Sequence, residues 1–312
     1  NLAALYDEQG NYAEALPLYQ KSLAINEKVL GADHPNVATS LNNLAVLYKE
    51  QGNYIEALPL YQKSLAIYEK VLGADHPDVA TSLNNLAVLY KEQGNYTEAL
   101  PLYQKSLAIN EKALGADHPN VATSLNGLGS LYISQGNYTE ALPLYQKSLA
   151  INEKALGADH PNVATSLNGL GSLYISQGNY TEALPLYQKS LAINEKALGA
   201  EHPNVAASLN NLAVLYQEQG NYIEALPLFQ KSLAINEKAL GADHPFVANS
   251  LNGLASLYQE QGDYTEALPL YQRSLAIRQK ALGADHPNVA TSLNSLGSLY
   301  ISQGNYTEAL PL

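Results

Sequence analysis

Seven histidines are the side chains of this 312-residue sequence best suited to chemistry, because imidazole binds metals and moves protons near neutral pH. They are His34, His76, His118, His160, His202, His244 and His286, each preceded by Asp or Glu and followed by Pro. Consecutive members stand 42 residues apart throughout. A zinc ion needs ligands about 2 Å away, whereas stacked helical repeats lie about 8–10 Å apart, so one histidine per repeat assembles no site. Ser recurs at equally fixed spacing, yet a catalytic group is not needed seven times. No phosphate-cradling glycine loop, metal-binding helix motif or nucleophile elbow is present. The reading is non-enzymatic: no catalytic residue, no metal site and no cofactor. Asp-His-Pro is read instead as a helix start, with Asp33 supplying the capping oxygen and Pro35 the first turn. Asn95, Asn137, Asn179 and Asn305 sit in Asn-Tyr-Thr, formally a glycosylation acceptor, and are also read as helix caps.

The period that spaces the histidines organises the whole chain. Residues 101–142 and 143–184 are identical, and Pro17, Pro59, Pro101, Pro143, Pro185, Pro227, Pro269 and Pro311 mark the same interval. Such units stack on their neighbours and present long faces rather than one central pocket. Residues 1–312 are therefore read as a single continuous array, truncated at both ends. A partial unit covers 1–30, and units start near 33, 75, 117, 159, 201, 243 and 285, the last incomplete. The absence of Met and the mid-unit start suggest a piece of a longer protein. A net charge of −12 with only 17 basic residues argues against nucleic acid, whose phosphates are matched by Lys and Arg. No apolar stretch approaches the roughly 20 residues that span a bilayer. Cysteine is absent, which excludes disulfides and makes a cytoplasmic setting the expectation.

One unit, residues 33–73, divides into two helices. Val37, Leu41, Leu44, Ala45 and Tyr48 form a single stripe at helical spacing. Gln51, Gly52 and Asn53 make the turn, and Asn53 with Glu56 has capping-box spacing. In the second helix, Tyr54, Ala57, Leu58, Tyr61, Leu65 and Leu72 form one stripe, with Leu60, Ile67 and Val71 forming another. Pro59 is read as bending this helix, and Gly73 as its left-handed C-cap.

Leu44, Ala45, Tyr48, Gly52, Tyr54, Ala57, Tyr61 and Leu65, placed in two antiparallel helices, resemble the tetratricopeptide repeat. The usual unit has 34 residues; here the period is 42. The phrases LNNLAVLY, ALPLYQKSLAI and GADHP are most similar to the variety found in kinesin light chains and bacterial repeat arrays. The resemblance implies an all-α fold, a right-handed superhelical solenoid of antiparallel helix pairs. Its first helices would line a concave groove that receives a peptide segment of a partner protein.

On that footing the groove-facing stripe includes Thr39, Asn42, Val46, Lys49 and Glu50. Asn42 recurs as Asn84, Asn126, Asn168, Asn210, Asn252 and Asn294, an amide ladder suited to a peptide backbone. Val46, Lys49, Glu50 and Val88, Lys91, Glu92 give way to Ser130, Ile133, Ser134 and Ser172, Ile175, Ser176. Gly127 and Gly169 replace Asn43 and Asn85 in the same stretch, which would let a ligand approach closely. The expected contact centre is residues 122–180. The ladder, Lys49, Lys91, Ser130 and Ser172 are read as polar contacts along the groove, and Ile133 and Ile175 as apolar contacts in that centre. Two other readings stay open: a sensor or regulatory region of a larger bacterial effector carrying a nucleotide-switch or caspase-like domain, and end-to-end self-association of uncapped units into filaments.

Overall fold

The computed structural model describes residues 2–8, 11–51 and 53–310; the expected turn residue Gly52 and the last period mark, Pro311, lie outside the described residues. Among the described residues there are sixteen α-helices and no strand, as the all-α reading requires. After α1 (Leu2–Glu8) and α2 (Tyr12–Leu30), first and second helices alternate. The first helices are α3 (Pro35–Glu50), α5 (Pro77–Glu92), α7 (Pro119–Ser134), α9 (Pro161–Ser176), α11 (Pro203–Glu218), α13 (Pro245–Glu260) and α15 (Pro287–Ser302). The second helices are α4 (Tyr54–Leu72), α6 (Tyr96–Leu114), α8 (Tyr138–Leu156), α10 (Tyr180–Leu198), α12 (Tyr222–Leu240), α14 (Tyr264–Leu282) and α16 (Tyr306–Ala309). The 19-residue second helices run through their prolines uninterrupted.

Local chemistry sets the helix ends, though not always with the expected groups. Histidine, not the acid before it, caps the first helix: His118 Nδ1 accepts from the N–H of Asn120 at 3.1 Å, and His76, His160 and His202 do the same. The acid is drawn away to a lysine in the last turn of the second helix, Asp75 to Lys112 and Asp117 to Lys154. At the other end Gly94, at φ 75°, donates to the carbonyl of Lys91 at 3.0 Å, and Asn95 donates to that of Tyr90 at 2.8 Å. This is a Schellman closure. It occupies the N–H of Asn95 that a capping box would have used, and the Glu98 carboxylate accepts from Thr97 Oγ1 at 2.8 Å instead. Asn95, Asn137, Asn221, Asp263 and Asn305 accordingly hold the N-cap position without a side-chain capping bond. The glycine after the second helix also departs from expectation. Gly115 has φ 88° and ψ 154°, so it is positive in φ but not in the left-handed helical basin.

The helices close over a core that passes from one repeat to the next. Val79, Ala80 and Leu83 of α5 meet Ile67 of α4 and Ile109 of α6, while Ala87, Ala99, Tyr103, Leu128 and Leu131 join α5, α6 and α7. Each fully buried leucine or valine stabilises by about 1.5–3 kcal/mol. Serines that look polar in sequence are buried in this core and fasten the helices together: Ser106 donates to the carbonyl of Ala80 at 2.8 Å, and Ser148 to that of Ala122 at 3.0 Å. Successive second helices are laced outside by Lys105–Glu69, Lys147–Glu111 and Lys189–Glu153 at 2.8–2.9 Å. Half-exposed pairs of this kind contribute about 0–1 kcal/mol each. The chain divides into two compact units, Leu16–Lys49 with Tyr54–Ala197, and Asn1–Ala15 with Glu50–Asn53 and Leu198–Leu312. They are called below the α3–α10 and α11–α16 units.

Candidate partner-binding face

In the α3–α10 unit, Asn42, Asn84, Asn126 and Asn168 are half-buried along their first helices, with Thr39, Thr81, Thr123 and Thr165 exposed one turn before them. Asn42 Oδ1 accepts from Asn85 Nδ2 at 3.0 Å. At the next two junctions Gly127 and Gly169 remove that donor, and the carbonyl oxygens of Asn84 and Asn126 are buried without a partner. Asn126 Nδ2 turns to Ser166 Oγ at 3.3 Å.

The two glycines do not open the helix to a ligand; a tyrosine ring from the preceding second helix already fills the space. A Cβ on Gly127 would stand 2.6 Å from Cε1 of Tyr103, and one on Gly169 would stand 2.2 Å from Cε1 of Tyr145. The opposite edge of Tyr145 meets Gly129, where a Cβ would lie 2.9 Å from Cε2. A buried ring gains more contact area than a transient ligand could, so the fold itself claims the vacancy. Burial pushes the Tyr145 hydroxyl up to about 12, against the hydrogen bond it makes with Ser130. Tyr103 is raised as well, first by burial and then by the Glu92 carboxylate. Its hydroxyl has no partner, because Val88 stands where Ser130 serves Tyr145.

The three positions that vary together along the sequence touch one another across repeat boundaries. Lys91 Nζ donates to Ser130 Oγ at 2.9 Å, and Lys49 Nζ lies 3.6 Å from Glu92. Gln217 Nε2 donates to Ser256 at 3.0 Å and Glu260 at 2.6 Å, and Gln259 Nε2 to Ser298 and Ser302 at 3.3 Å. Their correlated change therefore preserves inter-repeat contacts. Burial lowers the Lys91 ammonium from its ordinary value, Glu92 opposing and Lys49 adding to the shift. Ser172 bonds Tyr187, Ile133 packs against Tyr145 and Leu170, and Ile175 is half-buried. Gln217 and Gln259 were not singled out from sequence; the signal for them was this covariation at separations of 39 and 43 residues.

In the α11–α16 unit, Asn210 and Asn252 are half-buried with unpartnered carbonyl oxygens, and Asn294 is exposed. Here the face opens into a concavity of about 460 Å³ between α13 and α15, bounded by Ser256, Gln259, Glu260, Asn294 and Ser298. Tyr271 of α14 also lines it, 3% exposed, its hydroxyl donating to Gln259 Oε1 at 3.0 Å. Among the described residues no three His, Cys, Asp or Glu side chains are grouped to hold a metal ion, and no helix is long and apolar enough to cross a membrane.

Antiparallel helix pairs repeated at a fixed interval, each capped alike and sharing a core with the next, define a helical-repeat protein. The chain belongs to the tetratricopeptide repeat family, whose pattern matches residues 1–70, 38–112, 78–154, 121–196, 163–238, 204–280 and 246–312. A Podosopora anserina protein described as a kinesin light chain with nearly identical TPR-like repeats is 35% identical, with 66% of this chain and 97% of that one covered and a TM-score of 0.52. BtubC (BKLC) from P. vanneervenii is 22% identical over 76% of this chain and 93% of its own, at a TM-score of 0.56. A tetratricopeptide repeat protein from Parabacteroides merdae is 21% identical over 94% and 95%, at 0.58. The last two share the fold. No curated protein matches the chain. Tetratricopeptide repeat proteins generally mediate protein–protein interaction and are typically non-catalytic.

Proposed function

We propose that this chain is a non-catalytic scaffold that holds a peptide segment of a partner protein along the face formed by its first helices. The observation that carries the reading is the row of threonine hydroxyls and asparagine amides on that face. Thr81 with Asn84, Thr123 with Asn126 and Thr165 with Asn168 recur at one interval, Thr291 with Asn294 stands in the same register beyond Ala207 and Asn249, and none of these residues is charged. The carbonyl oxygens of Asn84, Asn126 and Asn168 are buried and each threonine hydroxyl donates to the proline carbonyl one turn earlier, so the face offers a peptide backbone threonine oxygens as acceptors and the remaining asparagine amide hydrogens as donors. On the second-helix side, by contrast, Lys105, Lys147 and Lys189 are already paired with acids of the preceding repeat. Asn42, Asn84, Asn126, Asn168, Asn210, Asn252 and Asn294 remain the proposed polar contacts. Lys49, Lys91 and Ser130 shape the face through contacts between repeats and Ser172 through its bond to Tyr187, while Ile133 and Ile175 remain the proposed apolar contacts.

Panning a random dodecapeptide library against the chain tests this. Enriched peptides should lose about ten-fold or more in affinity when exposed Thr123 and Thr165 are replaced by Arg, which blocks the face without disturbing the core. Gln146→Arg, on the exposed side of α8, should leave them unchanged. No enrichment, or loss only with Gln146→Arg, would overturn the reading.

A further inference from the structure

We infer that the concavity between α13 and α15 is a subsite for a cationic side chain, lysine or arginine, of the bound peptide; this rests on the peptide-binding reading above. Its lining holds one formally charged group, Glu260. The three first helices of this unit, α11, α13 and α15, contain no Lys or Arg at all. Glu260 accepts from the neutral amide of Gln217 at 2.6 Å, and among the described residues no basic side chain forms an ion pair with it. This separates it from Glu92, which stands 3.6 Å from Lys49.

The orientation of the surrounding groups points the same way. Gln259, the amide in the wall, spends its N–H donors on Ser298 and Ser302, and its oxygen on Tyr271. The lining groups outside those bonds are the Glu260 carboxylate, holding one Gln217 N–H, the side-chain amide of Asn294, and the oxygen of Ser295, whose hydrogen goes to the Thr291 carbonyl, a set rich in acceptors. Ammonium and guanidinium are donors only and supply both the charge and the hydrogens that this set lacks. At about 460 Å³ the space lies within the ~300–1,000 Å³ typical of ligand sites and admits a long side chain with its neighbouring backbone. The corresponding positions on α7 are Ile133 and Ser134 in place of Gln259 and Glu260, so that junction offers a cation no carboxylate, whereas α11 carries the same pair as Gln217 and Glu218.

The test is fluorescence anisotropy with labelled hexalysine, hexaserine and hexaglutamate, together with any peptide enriched by panning, on the native chain, Glu260→Gln and Glu266→Gln. Glu266 lies in the first turn of α14 and controls for the same loss of charge away from the concavity. Hexalysine should bind more tightly than the other two, and Glu260→Gln should weaken it by about five-fold or more, with Glu266→Gln changing it by less than about two-fold. Equal weakening by both variants would reduce the effect to overall acidity and overturn the inference. Hexalysine bound no more tightly than hexaserine, with panned peptides still bound through Thr123 and Thr165, would overturn it while leaving the peptide-binding reading standing. Unchanged helicity in both variants verifies that folding is not what is being measured.

Discussion

Tyr145 lies between two glycines, Gly129 and Gly169, and that contact sets the residue-scale energetics of the first-helix face. Gly169→Ala forces a methyl group into the ring, an overpacking expected to cost about 1–3 kcal/mol, read as a lower urea midpoint. The sequence does not show that Gly169 has a ring pressed against it, because the ring belongs to a helix more than twenty residues away.

At the scale of the element, the helix starts separate into bonded and unbonded caps. His118→Ala removes the acceptor for the N–H of Asn120 and should cost about 1 kcal/mol, whereas Asn137→Ala removes no capping bond and should cost a few tenths. Thermal unfolding of the two variants side by side checks the order; an equal loss would contradict the assignment. The apolar stripe of the first helix was legible in sequence, whereas Val71, counted in a stripe of the second helix, is exposed because no helix among the described residues covers that side. Val37, Leu41, Leu44 and Ala45 are all buried as their spacing requires. The caps were legible only in position. Asp33 and His34 are adjacent, and which of them turns inward depends on Lys70, in another helix, drawing the acid outward. Asn95 carries the right residue type for a cap, yet its geometry is dictated by the Schellman closure of the helix before it.

For the molecule as a whole, the α11–α16 unit should carry a pH dependence that the repeat sequence does not announce. His244 is 7% exposed, and burial lowers its imidazole to about 4, with the Glu50 carboxylate acting in the opposite sense. Below the unfolded value of 6.5 the unfolded chain takes up a proton that the folded chain refuses, so stability is lost as pH falls from about 6.5 towards 4. By pH 5.5 the loss should be on the order of 1 kcal/mol. Denaturation midpoints at neutral pH and at about 5.5 measure it, and His244→Asn, which retains a capping acceptor, should flatten the difference. A His244 resonance titrating near its ordinary value would refute this. The sequence alone determined the period, the two helices in each repeat and the family, because apolar spacing and turn residues act over a few positions of chain. Tertiary structure alone decided what fills the space over Gly127 and Gly169, which lysines and glutamines are spent on the next repeat, and where the face opens beside Glu260. Those outcomes depend on the register between successive helix pairs, set by packing between residues about forty positions apart, and no single repeat contains that information.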